Sequence, residues 1–217
     1  RYYFHFGFSD FIVCCGYKGY MIKEYFADYL LHNSDITFDF STGAGMQSLK
    51  NSAEPWRVTL VHTGLNTQTG GRIKRVAEYI NGQRFLLTYG DGVSDIDLDA
   101  VIKQHAETKS IVTISAIQPV GRFGVLDIEG NIVKQFQEKP KGEGGWINGG
   151  FMVAEPELLD YIDGDDTMLE VGPLQKLSAQ GKLGVYKHYG FWQCMDTQRD
   201  KYNLEQQWKS GDAKWKI

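Results

Sequence analysis

The sequence has few cysteines, no long apolar run and little net charge, and each shortage excludes a class of protein. Cys14 and Cys15 are adjacent and Cys194 is alone among the 217 residues, which favours buried reduced thiols over a disulfide or a metal site. No segment approaches the roughly 20 apolar residues that span a bilayer. No charged-then-apolar leader opens the chain either. We therefore expect a soluble, cytoplasmic protein.

The charges nearly balance, with 23 Lys and Arg against 27 Asp and Glu and a formal net charge of −4. A wide basic face for a polyanion is not expected from this balance, so nucleic acid is disfavoured as a partner, whereas a small phosphorylated ligand is compatible with it. The length of 217 residues and the 42% hydrophobic content suit one large globular domain with a substantial core. No internal repeat or low-complexity segment is present.

Strand and helix patterns alternate along the first half of the chain. Residues 11–15 and 85–88 form apolar runs typical of buried strands, and apolar residues at helical spacing lie between them. This alternation predicts an α/β fold with a mostly parallel sheet flanked by helices. Asp97 is predicted to cap a further helix. His105, at the end of that helix's apolar stripe, is predicted to lie on the helix surface.

The pattern changes to an antiparallel one from Phe123 onward. Residues 125–128 and 132–136 alternate about a turn at residues 129–131, which predicts a β-hairpin inserted in the α/β core. Residues 33–53 are polar and rich in glycine and serine, so they predict a loop with at most a short strand at residues 36–40. A helix is predicted after Thr197.

Two carboxylates stand where a sheet could present them to a ligand. Asp91 follows the apolar run at residues 85–88 and lies between Gly90 and Gly92, and ligands of open α/β sheets collect at the carboxyl ends of strands. Asp196 stands just before the last predicted helix. From the residues alone two explanations stay open, because Asp91 also suits an ordinary turn and Asp196 also suits the first turn of a helix.

Three further segments combine backbone-shaping residues with groups that bind anions or sugars. Residues 67–72 place two glycines and a guanidinium at a helix start, which favours an anion. Residues 137–141 place cations and a carboxylate beside a proline. Residues 146–151 place an amide beside glycines, and an amide both donates to and accepts from sugar hydroxyls. The ordinary alternatives are a Gly-Gly turn, a surface charge run and an Asn-Gly turn.

Together, and in this order, the segments resemble the sugar-1-phosphate nucleotidylyltransferases, most closely the glucose-1-phosphate cytidylyltransferases. The resemblance runs along essentially the whole chain, and residues 89–92 and 190–193 resemble the cytidylyl branch in particular. The segments that carry it are residues 13–19 (VCCGYKG), 54–56 (EPW), 69–72 (TGGR), 88–92 (TYGDG), 121–124 (GRFG), 136–142 (FQEKPKG), 147–151 (INGGF), 190–193 (GFWQ) and 195–197 (MDT).

The resemblance implies a Rossmann-like nucleotide-diphospho-sugar transferase fold and a reaction. The reaction is transfer of a cytidylyl group from CTP to α-D-glucose 1-phosphate, giving CDP-glucose and pyrophosphate, for dideoxyhexose synthesis in bacterial surface polysaccharide. It also implies a homo-oligomer. By the same resemblance Asp91, Lys139 and Asp196 are catalytic, and the two aspartates bind Mg²⁺. The implied nucleotide-binding residues are Thr67, Arg72 and Gly90, and the implied sugar-phosphate-binding residues are Gly124, Glu138, Lys139 and Asn148.

The sequence departs from the family pattern at its beginning. Family members open with a strand and a loop resembling Gly-Gly-X-Gly-Thr-Arg, followed by a Lys-Pro segment, and neither occurs here. In the family that loop wraps the triphosphate. We therefore expect residues 1–217 to form a single nucleotidylyltransferase domain that is N-terminally incomplete, with one strand edge left open. The aromatic residues at positions 2–8 are expected to be buried against a missing element or another subunit.

Three other interpretations stay open. A nucleotide-sugar glycosyltransferase also presents a strand-end carboxylate to a metal, but it requires a preformed nucleotide sugar. A catalytically silent binding or regulatory remnant of the fold would bind sugar phosphate without turnover. Another nucleotidylyltransferase, with a different base or sugar, is the nearest enzymatic alternative.

Overall fold

The computed structural model describes residues 1–41, 45–119, 124–129, 132–138 and 145–217. Its strands are β1 Asp10–Cys15, β2 Ser34–Asp39, β3 Gly45–Asn51, β4 Arg57–His62, β5 Phe85–Thr88, β6 Gly92–Ser94, β7 Val112–Ile117, β8 Gly124–Glu129, β9 Ile132–Glu138, β10 Ile147–Ala154, β11 Leu183–His188 and β12 Trp192–Cys194. Its α-helices are α1 Tyr2–His5, α2 Gly19–Ala27, α3 Tyr29–His32, α4 Thr69–Arg75, α5 Ala77–Ile80, α6 Leu98–Thr108, α7 Pro173–Ala179 and α8 Gln198–Ser210, and a 3₁₀ helix spans Pro156–Tyr161.

The largest sheet has the strand order β11-β7-β10-β5. β11 and β7 are parallel, and β10 runs antiparallel to both β7 and β5. The strands β5, β7 and β11 therefore all point the same way. β1 and β4 form a separate parallel pair, in which Asp10 lies opposite Arg57 and Cys15 opposite His62. These parallel strands with helices between them confirm the predicted α/β class.

Two buried clusters cover the opposite faces of β10, because successive side chains of a strand point to opposite sides. On one face Met152 packs with Ile73 and Val76, from α4 and the residue after it. On the other face Val153 packs with Leu98 and Val101 of α6. The helices therefore hold the sheet from both sides, and the ends of its strands are left to carry the polar residues.

Helix α6 begins as predicted but buries a residue that was expected at its surface. The Asp97 carboxylate accepts the Ala100 N–H at 3.0 Å, as a helix cap does. His105 is only 1% exposed. Its Nδ1 lies 2.8 Å from Thr113 Oγ1 and its Nε2 lies 3.1 Å from Glu155 Oε1. The surface prediction was wrong because these two partners, far from each other in sequence, satisfy both ring nitrogens in the interior.

Two β-hairpins lie outside the main sheet. β8 pairs with β9, which confirms the predicted antiparallel insertion; its turn at residues 130–131 lies outside the described residues. β2 pairs with β3. The short strand predicted at residues 36–40 is confirmed as β2, but residues 33–53 are not mainly a loop, because β3 was not predicted. The described side chains of β3 are exposed, and an exposed strand lacks the apolar alternation that marks a half-buried one.

The aromatic opening of the chain packs on the chain's own core. The Tyr3 ring stacks on the Phe151 ring, with centroids 6.4 Å apart, and the Tyr2 hydroxyl donates to the Ile96 carbonyl at 2.7 Å. The aromatic residues at positions 2–8 remain partly exposed, so their burial against another element or subunit stays a prediction. Within the described ranges, no helix has the length and apolarity needed to cross a membrane.

Candidate active site

A two-stranded ribbon of β6 and β12 carries both predicted metal ligands at the same end. Cys194 lies opposite Gly92 in this antiparallel pair, and the Met195 N–H donates to the Asp91 carbonyl at 2.9 Å. Asp91 immediately precedes β6 and Asp196 follows β12. The pairing of the strands therefore brings together two carboxylates that are far apart in sequence.

Asp196 lies before the last helix and is not part of it. Thr197 is the N-cap of α8, and its hydroxyl accepts the Asp200 N–H at 3.1 Å. The Asp200 carboxylate in turn accepts the Thr197 N–H at 3.0 Å, which completes a capping box. Because the helix is capped by its own residues, Asp196 is not needed for capping and its exposed side chain faces the cavity described next.

A cavity of about 190 Å³ lies where β5, β10 and β12 meet. The two predicted metal ligands share it with Asn148, a predicted sugar-phosphate residue. Gly90 stands in the chain between two lining residues, and a Cβ built at it would meet no atom within 4 Å. The lining residues are Thr88, Tyr89, Asp91, Gly92, Asn148, Gly149, Gly150, Trp192, Cys194 and Asp196.

The other end of the ribbon is fixed by polar contacts to the backbone of Phe191. Its carbonyl accepts the Ser94 hydroxyl at 2.7 Å and lies 3.1 Å from His188 Nε2. Its N–H donates to the Asp95 carboxylate at 2.7 Å, and His188 Nε2 lies 3.0 Å from that carboxylate. A slip of one residue would turn every side chain of a strand to the other face. We call Ser94, Asp95 and His188 the ribbon clamp, because they fix the register that brings Asp91 and Asp196 together.

The wall of the cavity that carries Asn148 is an irregular part of β10. The strand register shifts between Asn148 and Met152, and the Asn148 Oδ1 accepts the Gly150 N–H at 2.9 Å. Gly150 has a φ of +79°, and a Cβ there would lie 2.6 Å from the Tyr89 ring. Glycine is therefore required at this position by both its backbone conformation and the close ring. Asn148 stays paired with Ala116 at the edge of this irregularity, and its side chain borders the cavity.

Tyr89 provides a neutral hydroxyl beside this wall. Burial, followed by the hydrogen bond that the hydroxyl donates to Glu170, raises the pKa of Tyr89 well above its ordinary value. The hydroxyl is therefore a donor at any physiological pH. The motif at residues 89–92 drew attention to Tyr89 without assigning it a role, and no local sequence signal marked Glu170.

Arg72 binds the protein's own loops. Its Nη1 donates to the Thr63 hydroxyl at 2.7 Å and to the Gly64 carbonyl at 2.9 Å. A Cβ at Gly16 would lie 2.6 Å from the same nitrogen. The guanidinium thus holds the turns that follow β1 and β4. Thr67, predicted with Arg72 to contact nucleotide, is only 8% exposed.

The two glycines of the same segment face backbone. A Cβ at Gly71 would lie 2.6 Å from the Asp165 carbonyl oxygen, and one at Gly70 would lie 2.8 Å from the Thr167 carbonyl oxygen. The space that these glycines leave open is filled by residues 165–167. On the Cβ side of both glycines the chain itself makes the close approach. That the segment at residues 67–72 favours an anion stays a prediction.

The remaining predicted residues belong to the β8–β9 hairpin. Gly124 and Glu138 lie opposite each other in that pair, which puts two predicted sugar-phosphate residues side by side along the backbone. Lys139, predicted as a catalytic and sugar-phosphate residue, follows β9 and lies outside the described residues.

The donor set at the cavity is two carboxylates. No three His, Cys, Asp or Glu side chains of the described part of the chain are grouped to hold a metal. The Cys194 thiol lies 3.1 Å from the Asp196 carboxylate. Two hard oxygen donors with solvent access fit a small hard cation, which keeps several waters and takes the rest of its ligands from substrate phosphates.

The chain is similar in sequence to known nucleotidyl transferases. Residues 12–188 match the Nucleotidyl transferase family. A glucose-1-phosphate cytidylyltransferase of Salmonella typhi is 54% identical over 211 residues, covering 97% of this chain and 82% of the relative. A probable glucose-1-phosphate cytidylyltransferase of Bacillus subtilis is 41% identical over 216 residues, covering 99% of this chain and 84% of the relative.

Solved structures share the fold at low sequence identity. HddC from Yersinia pseudotuberculosis has a TM-score of 0.63 at 19% identity, covering 95% of this chain and 82% of that one. An apo UDP-glucose pyrophosphorylase has a TM-score of 0.62 at 13% identity, covering 97% and 85%. At these identities the likeness is evidence for the fold alone.

Proposed function

Because the chain belongs to the nucleotidyl transferase family, we propose that it transfers a cytidylyl group from CTP to α-D-glucose 1-phosphate, giving CDP-glucose and pyrophosphate. The observation that carries this proposal is 54% identity to a glucose-1-phosphate cytidylyltransferase over 97% of the chain. The grouping of Asp91, Asn148 and Asp196 around one cavity supports it, because the reaction needs a cation site next to a sugar-phosphate site.

We propose Asp91 and Asp196 as the ligands of Mg²⁺. Both carboxylates are exposed and line the same cavity, and their hard oxygens suit this ion. When bound, Mg²⁺ would neutralise phosphate charge and help to orient the triphosphate. The ribbon clamp would hold the two aspartates in place for it.

The chemistry explains why no strong base is required. The second pKa of a phosphate monoester is about 6, so the phosphate of glucose 1-phosphate is mostly a dianion at neutral pH and already a nucleophile. Catalysis then depends on alignment and charge neutralisation. Two unit charges 4 Å apart repel by about 4 kcal/mol at an effective dielectric of about 20, which corresponds to roughly a thousandfold in rate. We propose that the Lys139 side chain neutralises part of this phosphate charge.

The other proposed contacts are divided between the sugar phosphate and the nucleotide. We propose that Gly124, Glu138, Lys139 and Asn148 hold the sugar phosphate, since the Asn148 amide borders the cavity. For the nucleotide we propose Gly90, because no atom lies within 4 Å of where its Cβ would be and a ligand could approach the backbone there. Arg72 would serve the nucleotide mainly by supporting residues 63–65, since it donates to that turn, and we propose Thr67 as a nucleotide contact.

The wider setting is proposed from the resemblance. Cys14, Cys15 and Cys194 are free thiols, which suits the reducing cytoplasm. We propose that the protein works there as a homo-oligomer in a single catalytic domain. CDP-glucose would then feed dideoxyhexose synthesis for bacterial surface polysaccharide. Light scattering of the purified protein tests the oligomer directly.

The test is pyrophosphate release on a sample whose intact mass has been measured. With CTP, glucose 1-phosphate and Mg²⁺ we expect pyrophosphate and CDP-glucose in equal amounts. Replacing CTP by UTP, dTTP or GTP should lower the rate at least tenfold, and so should replacing glucose 1-phosphate by mannose 1-phosphate. A preference for UTP or dTTP would show that the enzyme transfers a uridylyl or thymidylyl group instead of the proposed cytidylyl group.

The same sample separates the remaining alternatives. Activity that requires a preformed nucleotide sugar would identify a glycosyltransferase. Glucose 1-phosphate binding in calorimetry without any pyrophosphate release would identify a silent binding protein. Either result would overturn the proposed reaction.

A further inference from the structure

The Glu170 carboxylate joins two segments that the proposed function assigns to different substrates. One of its oxygens accepts the Tyr89 hydroxyl. The other oxygen accepts the Thr69 hydroxyl at 2.8 Å. Hydrogen bonds to a charged acceptor are stronger than neutral ones. Glu170 is partly buried and is not among the residues that line the cavity, so it acts through these two partners.

On the sugar side, the contact continues to Asn148. Tyr89 and Asn148 line the same cavity, and the Asn148 side chain lowers the pKa of the Tyr89 hydroxyl, against the larger effects of burial and of Glu170 that raise it. The Asn148 Oδ1 accepts the Gly150 N–H at 2.9 Å, so the Asn148 amide nitrogen is the group left to face the tyrosine. A Tyr89 hydroxyl held by Glu170 would therefore favour one orientation of the neighbouring Asn148 amide.

On the nucleotide side, the contact continues into α4. Thr69 is the first residue of this helix, and its hydroxyl also accepts the Leu169 N–H at 2.9 Å. Three residues later Arg72 donates to the turn at residues 63–65. Holding Thr69 therefore holds the start of the helix that supports this turn.

From these contacts we infer that Glu170 is a positioning residue that couples the sugar-phosphate wall to the nucleotide side of the site. The inference rests on the proposed function for its assignment of substrates. Without the carboxylate, the Tyr89 hydroxyl loses its acceptor and the Asn148 amide is free to turn. The Thr69 hydroxyl loses its acceptor at the same time, and the start of α4 loosens.

The test compares KM values across four variants. Glu170→Ala should raise KM for both glucose 1-phosphate and CTP by about tenfold, the effect of one charge-assisted hydrogen bond on each side. Tyr89→Phe should raise mainly KM for glucose 1-phosphate, and Thr69→Val mainly KM for CTP. The double variant Tyr89→Phe with Thr69→Val should match Glu170→Ala, since each removes the same two bonds.

The controls separate positioning from a purely structural role. Glu107→Gln, an exposed change in α6, should leave both KM values as in the wild type. A structural role alone would lower the melting temperature and the active fraction while KM stayed unchanged. Unchanged KM values for both substrates in folded Glu170→Ala would overturn the inference, and if that variant does not fold, the double variant decides in the same way.

Amide hydrogen exchange gives a readout that does not depend on turnover. The Gly150 N–H reports Asn148 and the Leu169 N–H reports Thr69. In Glu170→Gln, in which one oxygen is replaced by an amide nitrogen that cannot accept, at least one of the two should exchange about tenfold faster than in the wild type, and Leu204 in α8 should not change. Wild-type exchange at both amides would overturn the coupling. If the wild-type protein releases no pyrophosphate from CTP, the proposed function is wrong. If the Glu170→Gln variant still shows this exchange pattern, the coupling through Glu170 stands independently of that function.

Discussion

Two glycine-containing turns that look alike in sequence have opposite surroundings in the structure. The open turn, residues 90–92, borders the cavity, and a Cβ at Gly90 would meet nothing within 4 Å. The closed turn, residues 69–72, is the first turn of helix α4; it packs against residues 165–167, and a Cβ at Gly71 would lie 2.6 Å from backbone atoms of Asp165. Both turns carry glycine next to a polar residue that we predicted to bind a ligand.

The difference shows what a glycine in a sequence can establish. It indicates that something comes close to the backbone, or that the backbone needs an unusual conformation. It does not say whether the close neighbour is a ligand or another part of the chain. In the closed turn the neighbour is a loop, and the arginine beside it supports backbone carbonyls.

The largest expected effect is on turnover at the open turn. Asp91→Asn or Asp196→Asn should lower kcat by about a hundredfold to a thousandfold, because a metal ligand contributes several kcal/mol of charge stabilisation. Both residues are exposed, so the melting temperature should stay within about 2 °C. Steady-state pyrophosphate release and thermal melting measure the two effects. Asp212→Asn is the matched control, and wild-type kcat at saturating Mg²⁺ would remove the altered residue from the site.

The next effect distinguishes the two turns by stability. Gly71→Ala should lower the free energy of unfolding by about 1–3 kcal/mol, because the added methyl group meets backbone that must shift. Gly90→Ala should change it by less than about 0.5 kcal/mol and should instead raise KM for CTP. Urea denaturation of both variants measures this difference. Equal losses of unfolding free energy in the two variants would contradict the difference in crowding between Gly71 and Gly90.

The third effect concerns what holds the open turn in place. Asp95→Ala removes the acceptor of the Phe191 N–H and the partner of His188. We expect a loss of about 1–2 kcal/mol in unfolding free energy and a higher Mg²⁺ concentration for half-maximal activity. A Mg²⁺ titration with glucose 1-phosphate and CTP saturating measures the second effect. Loss of stability with an unchanged Mg²⁺ requirement would mean that the clamp does not position the aspartates.

The smallest effect is the pH dependence of the contact between α4 and residues 165–167, the segment that packs on the closed turn. Arg75 donates to Asp165 at 2.7 Å, and this hydrogen bond lowers the pKa of Asp165 below its ordinary value. A lowered pKa in the folded state stabilises the protein above the unfolded pKa, and the contribution is lost as pH falls through the folded value. The Asp165→Asn variant should therefore lose less melting temperature than the wild type between pH 6 and pH 3. The pair is exposed, so the difference should be small; a larger loss in the variant would contradict the assignment.

The sequence predicted elements with a strong local pattern. The apolar runs of β1 and β5 and the cap of α6 by Asp97 were found, because burial and capping leave marks within a few residues. β3 was missed, because its strand is exposed and carries no apolar alternation. His105 was placed on the surface, since its partners Thr113 and Glu155 come from other elements.

In the site too, residues within a local motif were predicted and residues that act through distant partners were missed. Asp91, Asp196 and Asn148 were predicted from motifs and are found around one cavity. Glu170 was missed, because its role depends on Tyr89 and Thr69, which precede it by 81 and 101 positions. The packing of residues 165–167 on the closed turn was missed for the same reason. Contacts between distant segments are visible only after the chain has folded.

The β6–β12 ribbon also affects how the protein is made. The hydrogen bond between Asp95 and Phe191 joins residues 96 positions apart. At about 5–20 residues per second, a ribosome would complete β12 roughly 5 to 20 seconds after β6. During that interval the nascent chain holds an unpaired β6 strand and only one of the two aspartates. The ribbon can therefore close only late in translation, and a polypeptide released before residue 196 would have most of the core but could not assemble the carboxylate pair.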